Sequence, residues 1–222
     1  MGYAALFSGG KDSSLALWRA QSLGLDVDYL ITVYPDRDDS YMFHKPNLHL
    51  IPEIAKSLGI ELVKVKTAGE KEKEVEDLKR GLKGLNISGL ITGAVASRYQ
   101  MDRIEKLADE FSVDVLAPLW NMPQDRLLDE LLQNGFKMII VSVAAHGLDD
   151  DWLGKEIDQR CIEELKEISA RYGINISGEG GEYESLVIAA PNYDHDFEII
   201  EDEKTWDGLR GELKVKKIEK GY

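Results

Sequence analysis

Short apolar runs alternate with amphipathic segments over the first half of the chain. The first run is Tyr3–Phe7, and the others cover residues 27–33, 60–65, 88–95 and 113–116. Between these runs, apolar residues recur every three or four positions, which is the spacing of a helix with one buried face. Strands that are apolar throughout and that alternate with helices indicate a parallel sheet covered on both faces. The pattern therefore predicts an α/β fold with a doubly wound parallel sheet.

The pattern changes after residue 118. Two prolines restrict the backbone within Ala117–Pro123, so we place a boundary there, between a first domain of residues 1–118 and a second of residues 119–222. The second half predicts a helix around Leu127–Leu132 and another from about Lys155 to Tyr172. It also contains one strong and three short candidate strands, at residues 136–143, 186–190, 197–200 and 213–218. This mixture predicts a smaller α+β domain.

Charge is divided unevenly between the two halves. The 222 residues carry a net charge of −14, and residues 119–222 hold 12 Lys or Arg against 23 Asp or Glu. Such a chain is poorly suited to nucleic acid, which binds basic surfaces. The second half would instead attract a cationic substrate or a basic partner, although solubility alone would also account for the charge. There is no long apolar run and no secretory signal pattern, so we expect no membrane span and a cytoplasmic location.

The first strand and the first helix are joined by Ser8-Gly9-Gly10-Lys11-Asp12-Ser13, which we call the N-terminal loop. Glycines permit a sharp turn and close approach to a ligand, and a helix start offers unpaired N–H groups to an anion. Lys11 adds a positive charge, and Asp12 suits a phosphate site as a magnesium ligand or helix cap. A simple capped turn is the alternative, but it needs neither a lysine nor a second glycine. The loop therefore predicts a phosphate site.

A second constellation, Ser177–Ser185, reads Ser-Gly-Glu-Gly-Gly-Glu-Tyr-Glu-Ser and is called the acidic loop below. Its three glutamates crowd around Tyr183, which is destabilising unless a cation or hydrogen bonds offset the repulsion. Carboxylates beside an aromatic ring suit an ammonium group, ammonia in transit or magnesium. A solvated acidic turn is the alternative.

A third polar patch follows the fourth predicted strand, which ends near Gly93. Arg98 and Arg103 are candidates to reach phosphate, and Gln100 is a candidate to hydrogen-bond a substrate. A helix start capped by Ser97 and flanked by surface arginines explains the patch equally well. Ligands of doubly wound sheets bind beyond the carboxyl ends of the strands, near a switch in strand order. The N-terminal loop and Gly93 are therefore expected to border the same crevice.

The N-terminal loop resembles the PP-loop of ATP pyrophosphatases, which split ATP into AMP and pyrophosphate, rather than the Walker A pattern. Four further segments, in the same order, resemble the diphthine–ammonia ligase family of these enzymes. They are Ser40–His44 (SYMFH), Gly93–Arg103 (GAVASRYQMDR), the Gly147–Gly154 turn and Gly178–Ser185 (GEGGEYES). The resemblance implies a Rossmann-like PP-loop domain that binds ATP, followed by a smaller substrate-binding domain.

The resemblance also implies a reaction, the ATP-dependent amidation of the diphthine carboxylate on elongation factor 2. This is the last step of diphthamide synthesis. The carboxylate attacks the α-phosphate of ATP to give an acyl-adenylate and pyrophosphate, and ammonia then displaces AMP. ATP and Mg²⁺ are the implied cofactors, ammonium and diphthine-bearing elongation factor 2 are the implied substrates, and a homodimer is left open.

ATP-binding, catalytic and substrate-binding roles can be expected for individual residues of this sequence. ATP binding is expected from Ser8, Gly9, Gly10, Lys11, Asp12, Ser13, Thr32, Val33 and Gly93, with adenine against the backbone at the last three. Catalytic roles are expected for Lys11 on the leaving pyrophosphate, for Asp12 on magnesium and for Ser13. Substrate binding is expected from Arg98, Gln100, Arg103, Glu179, Glu182, Tyr183 and Glu184. That the acidic loop receives the quaternary ammonium of diphthine or the incoming ammonium is our own hypothesis.

Other classes of function stay open at this point. A PP-loop enzyme that modifies tRNA or a small molecule would use the same phosphate chemistry. Thiolation of tRNA usually needs a persulfide cysteine, whereas the single cysteine, Cys161, lies on the predicted inner face of a helix and is expected to pack in the core. A non-catalytic module would bind ATP without releasing pyrophosphate.

Overall fold

The computed structural model of the chain describes residues 1–35, 46–68 and 73–221. Ser40–His44, one of the segments that carry the family resemblance, lies outside these residues. The chain divides into two compact units. The first unit consists of Met1–Ser8 and Asp12–Trp120, and the second consists of Gly9–Lys11 and Asn121–Tyr222.

The first unit is built on a parallel sheet with the strand order β3-β2-β1-β4-β5. The strands are β1 (Gly2–Leu6), β2 (Val27–Pro35), β3 (Glu61–Thr67), β4 (Ile87–Ile91) and β5 (Asp114–Leu116). The helices between them are α1 (Lys11–Ser22), α2 (Ile51–Leu58), α3 (Lys73–Leu82) and α4 (Arg98–Phe111). From the central strand β1, the chain adds β2 and β3 on one side and then β4 and β5 on the other side. The direction of strand addition therefore reverses between β1 and β4.

Helices cover both faces of this sheet. Leu78 of α3 and Leu107 of α4 pack with Ala4, Ile31 and Leu90 in one buried cluster on one face. The β3–β4 and β4–β5 connections, which contain α3 and α4, run toward the β5 edge of the sheet, whereas the β1–β2 and β2–β3 connections run toward the β3 edge. Because parallel crossovers are right-handed, the two sets of connections lie on opposite faces. This places α1 and α2 on the face opposite α3 and α4. The expectation of a doubly wound, Rossmann-like α/β fold is confirmed.

The second unit contains an antiparallel sheet with the order β7-β6-β9-β8. Its strands are β6 (Lys137–Val143), β7 (Tyr183–Ala189), β8 (Phe197–Trp206) and β9 (Gly211–Lys220), and its helices are α5 (Gln124–Gln133) and α6 (Gln159–Tyr172). β8 and β9 form a long hairpin, and β9 joins the sheet at only one end, where Ser142 and Val143 of β6 pair with Glu212 and Gly211. Among the residues described, no helix combines the length and apolar character needed to cross a bilayer.

The remainder of that edge of β6 is occupied by the segment that leads into α6. The N–H of Ile140 donates to the carbonyl of Lys155, and the N–H of Ile157 donates to the carbonyl of Met138, both at 2.9 Å. The expectation of a helix from Lys155 is therefore wrong for its first turn, because these residues bond to a strand. α6 begins only after Asp158, whose side chain accepts the N–H of Cys161 at 2.7 Å and caps the helix.

Candidate active site

The N-terminal loop leaves β1 at the point where the strand order switches. Gly9 has φ 75°, a left-handed conformation that glycine adopts at little cost. Across the loop, the N–H of Ser8 donates to the hydroxyl of Ser13 at 3.2 Å, and the two serine hydroxyls are also 3.2 Å apart. This serine pair fixes the start of α1 against the end of β1.

Gly93 lies against the same helix start from the neighbouring strand. A Cβ at this position would lie 2.8 Å from the carbonyl carbon of Asp12 and 2.8 Å from the amide nitrogen of Ser13. These are backbone atoms, which cannot rotate away as a flexible side chain would. Any larger residue at Gly93 would therefore displace the loop, and the structure brings Gly93 and the loop together as expected.

Thr32 and Val33 are buried near the end of β2. The Thr32 hydroxyl donates to the carbonyl of Phe7 at 2.7 Å, so this side chain joins β2 to the end of β1. Their side chains are thus engaged in the fold, and adenine binding by their backbone stays a prediction.

Tyr34 lies two residues after Thr32 in β2, and it was not selected from the sequence. Burial raises the pKa of its phenol to about 12, so the group stays a neutral hydroxyl. Its oxygen is buried without a hydrogen-bond partner among the described parts of the chain, and the Nζ of Lys64 lies 5.8 Å from the ring centroid.

The polar patch after β4 forms the first turns of α4. Ser97 caps the helix by accepting the N–H of Gln100 at 3.3 Å, and the Gln100 side chain is exposed. The Cζ of Arg98 lies 5.2 Å from the Trp120 ring centroid, and that of Arg103 lies 3.4 Å from the Tyr99 centroid. Both arginines are therefore stacked on aromatic rings, as in the helix-start alternative, and a substrate role for them stays a prediction.

Within the second unit, Gly9–Lys11 lies beside β7. The N–H of Val187 donates to the carbonyl of Gly9 at 2.9 Å, and the N–H of Lys11 donates to the hydroxyl of Ser185 at 3.1 Å. Ser185 belongs to the family segment Gly178–Ser185, but it was not among the site residues predicted from the sequence. The structure identifies it as the side chain that orients the Lys11 backbone.

The Lys11 side chain ends among residues of the acidic loop. Its side chain is only 4% exposed, and its Nζ lies 3.7 Å from a carboxylate oxygen of Glu179 and 5.7 Å from the Tyr183 ring centroid. A buried ammonium is strongly destabilised unless a counter-charge or ligand compensates for its lost hydration, and an aromatic face adds a weaker attraction. The two glycine-rich segments singled out in the sequence therefore meet at Lys11.

The other members of the acidic loop have different partners. The Glu182 carboxylate accepts the N–H groups of Asn175 and Gly180, each at 2.8 Å, so it stabilises the loop itself. The Tyr183 hydroxyl donates to the carbonyl of Ile176 at 2.9 Å. Glu184 lies within β7, in register with Ser142 of β6. Among the described contacts, the Glu179 carboxylate lies 3.7 Å from the ammonium of Lys11 in the N-terminal loop.

Magnesium, if bound, would depend largely on the nucleotide. The described residues include no group of three or more His, Cys, Asp or Glu suited to a metal ion. Mg²⁺ commonly uses one or two carboxylates together with substrate phosphates and water. Asp12, in the first turn of α1, fits such a site as a single carboxylate beside the expected phosphates.

Family models match both parts of the chain. A model described as the diphthamide synthase N-terminal domain matches residues 1–115, and one described as the diphthamide synthase C-terminal domain matches residues 123–220.

The chain is also similar in sequence to individual proteins of known name. Proteins named diphthine–ammonia ligase from Bos taurus and Homo sapiens are each 34% identical over 214 residues, covering 86% of this chain and 80% of their own length. A solved structure from Methanocaldococcus jannaschii, titled as a predicted subunit of tRNA methyltransferase, has a TM-score of 0.45 at 18% identity over 86% of this chain and 98% of that one; so slight a likeness has no bearing on function. With both domain models and these relatives spanning most of its length, the chain belongs to the diphthine–ammonia ligase family.

Proposed function

We propose that this protein is an ATP-dependent carbon–nitrogen ligase that amidates the diphthine carboxylate on elongation factor 2. The observation that carries the proposal is the buried Lys11, which belongs to the N-terminal loop and lies against Glu179 and Tyr183 of the acidic loop. The names of the relatives support the substrate and the bond formed. The elements around Lys11 support the use of ATP.

In the first step, a diphthine carboxylate oxygen forms a bond to the α-phosphorus, and the bond from that phosphorus to the bridging oxygen of pyrophosphate breaks. Negative charge accumulates on the departing pyrophosphate. Positive groups and N–H donors fixed in advance at that position lower the barrier. Lys11 and the start of α1 supply them in this chain, and a magnesium ion held by the phosphates and Asp12 would supply further positive charge when bound.

In the second step, neutral ammonia forms the carbon–nitrogen bond and AMP leaves with the former carboxylate oxygen. The nitrogen loses a proton as the amide forms. Glu179 is a carboxylate that the described contacts place beside Lys11, so we propose that it binds the ammonium ion and takes one proton from it to give ammonia. The second proton, which the nitrogen loses as the amide forms, passes to water. Glu182 and the Tyr183 hydroxyl hold the acidic loop in shape by their hydrogen bonds to backbone.

The test is a reconstitution with ATP labelled separately in its α- and γ-phosphates, ammonium chloride and elongation factor 2 bearing diphthine. The expected products are AMP, pyrophosphate and a factor in which one hydroxyl has been replaced by an amino group. Replacing ammonium by hydroxylamine should trap the activated carboxyl as a hydroxamate. Release of ADP and inorganic phosphate would contradict adenylation, and an unchanged mass of the factor would contradict the proposed substrate.

A further inference from the structure

A cleft of about 370 Å³ opens in the second unit, and neither Lys11 nor Glu179 is among the residues that line it. Its volume is within the range of ligand sites, roughly 300–1,000 Å³. One wall is the turn Ala144–Asp149, which follows β6, and the other is the tip of the β8–β9 hairpin, with Trp206, Leu209 and Arg210. Gly147–Asp149 of the first wall belong to the family segment Gly147–Gly154, for which the proposed chemistry gives no role.

Exposed apolar side chains gather around this cleft. Within the described residues, the large hydrophobic side chains that are exposed are Met1, Leu23, Tyr172, Ile200, Trp206 and Leu209. Trp206 and Leu209 line the cleft, and Tyr172 stacks on His146 of the opposite wall with ring centroids 6.4 Å apart. Clustered exposed aromatic and aliphatic side chains mark interaction surfaces, and tryptophan, tyrosine and arginine are enriched where binding energy concentrates.

The cleft adjoins the acidic loop through the sheet. The N–H of Ala144, the first residue of the cleft wall, donates to the carbonyl of Glu182 at 2.8 Å. Val143 pairs with Tyr183 on one side and with Gly211 on the other, and Gly211 pairs with Trp206. The acidic loop and the cleft therefore lie at the same end of the sheet.

Charge around the cleft selects the kind of occupant. Asp149 and the cation Arg210 both line the cleft, and Asp150, Asp151 and Asp207 are exposed close to lining residues along the chain. Asp207 accepts the N–H groups of Leu209 and Arg210, both at 2.8 Å, so the hairpin tip holds a fixed shape. A second copy of this chain would bring another −14 charge to this surface and would be repelled, whereas a cationic polypeptide segment would be attracted.

We propose that this cleft binds a cationic segment of the protein substrate next to the modified side chain, with one apolar side chain of that segment between Trp206 and Leu209. The proposal takes the identity of the protein substrate from the proposed function. The cleft would hold the backbone of the substrate while the side chain to be amidated reaches the acidic loop. This arrangement would let the enzyme select a whole protein rather than a free amino acid.

Matched substitutions test this docking surface. Leu209→Lys replaces a side chain that is 74% exposed at the cleft, and Leu23→Lys makes the same change at a side chain that is 71% exposed in the first unit. Trp206→Ala removes the aromatic wall. Affinity for diphthine-bearing elongation factor 2 is measured by biolayer interferometry without ATP, and steady-state kinetics give KM and kcat.

We expect Leu209→Lys and Trp206→Ala to raise both the Kd and the KM for elongation factor 2 about tenfold, with the KM for ATP unchanged and Leu23→Lys like wild type. Binding should also weaken as salt is raised, because the attraction is between exposed charges. If both cleft variants keep their Kd and KM within about twofold of wild type, the proposal is wrong.

Two further results separate the docking surface from the proposed function. If wild type binds elongation factor 2 through Trp206 and Leu209 but yields no amide, the docking surface stands and the proposed reaction falls. If sedimentation shows that wild type is a dimer, that Leu209→Lys is a monomer, and that affinity for the factor is the same in both, the cleft joins copies of this chain and the proposal is overturned.

Discussion

The N-terminal loop follows a parallel strand and leads into a helix, whereas the acidic loop follows a turn and leads into the antiparallel strand β7. Both are rich in glycine, but the first is closed by serine hydroxyls and abutted by Gly93, and the second is stabilised by Glu182 on its own backbone N–H groups. The first offers a helix start and a lysine to an anion. The second presents Glu179 to that lysine. Two loops of similar glycine content therefore have opposite electrostatic roles, and Lys11 of the first contacts Glu179 of the second.

Removing the positive charge of Lys11 should have the largest effect on activity. Lys11→Met should lower kcat about 10³-fold, because a positive group on the leaving pyrophosphate acts in the transition state. Lys11→Arg, which keeps the charge, should retain more activity than Lys11→Met. Measurement of pyrophosphate release at saturating ATP checks this. Equal activity of Lys11→Met and wild type would remove Lys11 from the mechanism.

Adding one methyl group at the switch point should have the next largest effect. In Gly93→Ala the new Cβ would press on the backbone of Asp12 and Ser13, and a displacement of about 1 Å at reacting groups costs roughly 10²-fold in rate. Gly24→Ala is the control, since its Cβ would meet nothing within 4 Å but its φ of 80° is still strained. It should lose about 1 kcal/mol of stability and keep its turnover. Similar turnover in the two variants would contradict the role given to Gly93.

Glu179 and Glu182 of the acidic loop should differ in their effects on turnover and on stability. Glu179→Gln should lower kcat about tenfold or more, because it neutralises the carboxylate beside Lys11. Glu182→Gln should lower the free energy of unfolding by about 1–2 kcal/mol, since one carboxylate oxygen that accepts an N–H becomes a donor group, and should keep kcat in the folded enzyme. Thermal unfolding and turnover, measured on both variants, separate the roles. If both substitutions reduced turnover equally, the division of labour within the loop would be wrong.

The smallest effect concerns Cys161 in the core. Burial raises the pKa of its thiol from 9.0 to about 12, so below pH 9 the thiol is neutral in both the folded and the unfolded chain. As pH rises above 9 the unfolded chain loses this proton first, and the free energy of unfolding should fall by on the order of 1 kcal/mol by pH 10. Cys161→Ser should remove this slope and leave turnover intact.

Chemical labelling checks the same residue. Native Cys161 should resist iodoacetamide at pH 8 and react after denaturation, because the thiolate is the reactive form. Rapid labelling in the folded protein, or loss of activity in Cys161→Ser, would instead favour a thiolating enzyme.

Much of the first unit could be predicted because its strands are apolar throughout. Runs such as Tyr3–Phe7 and residues 27–33 coincide closely with β1 and β2. The hairpin was underestimated, since β8 continues to Trp206 through Glu201, Asp202 and Glu203, which are exposed and carry no apolar signal. The start of α6 was placed too early because pairing of Lys155 and Ile157 with β6 depends on residues distant in sequence.

The sequence predicted the N-terminal loop and the acidic loop of the candidate site, but not which of their side chains contact each other. Glycine, lysine and serine beside a strand end are local signals, so the N-terminal loop could be recognised directly. The difference between Glu179 and Glu182 depends on which carboxylate reaches Lys11 and which folds back on Asn175 and Gly180. Stacking of Arg98 on Trp120 likewise joins residues far apart in the chain.

We propose that the N-terminal loop holds the triphosphate of ATP. A crystal structure with a non-hydrolysable ATP analogue tests it most directly. The account predicts phosphate oxygens within hydrogen-bond distance of backbone N–H groups between Gly9 and Ser13, with the Lys11 ammonium beside the β- and γ-phosphates. Phosphates bound anywhere else on the molecule would contradict it.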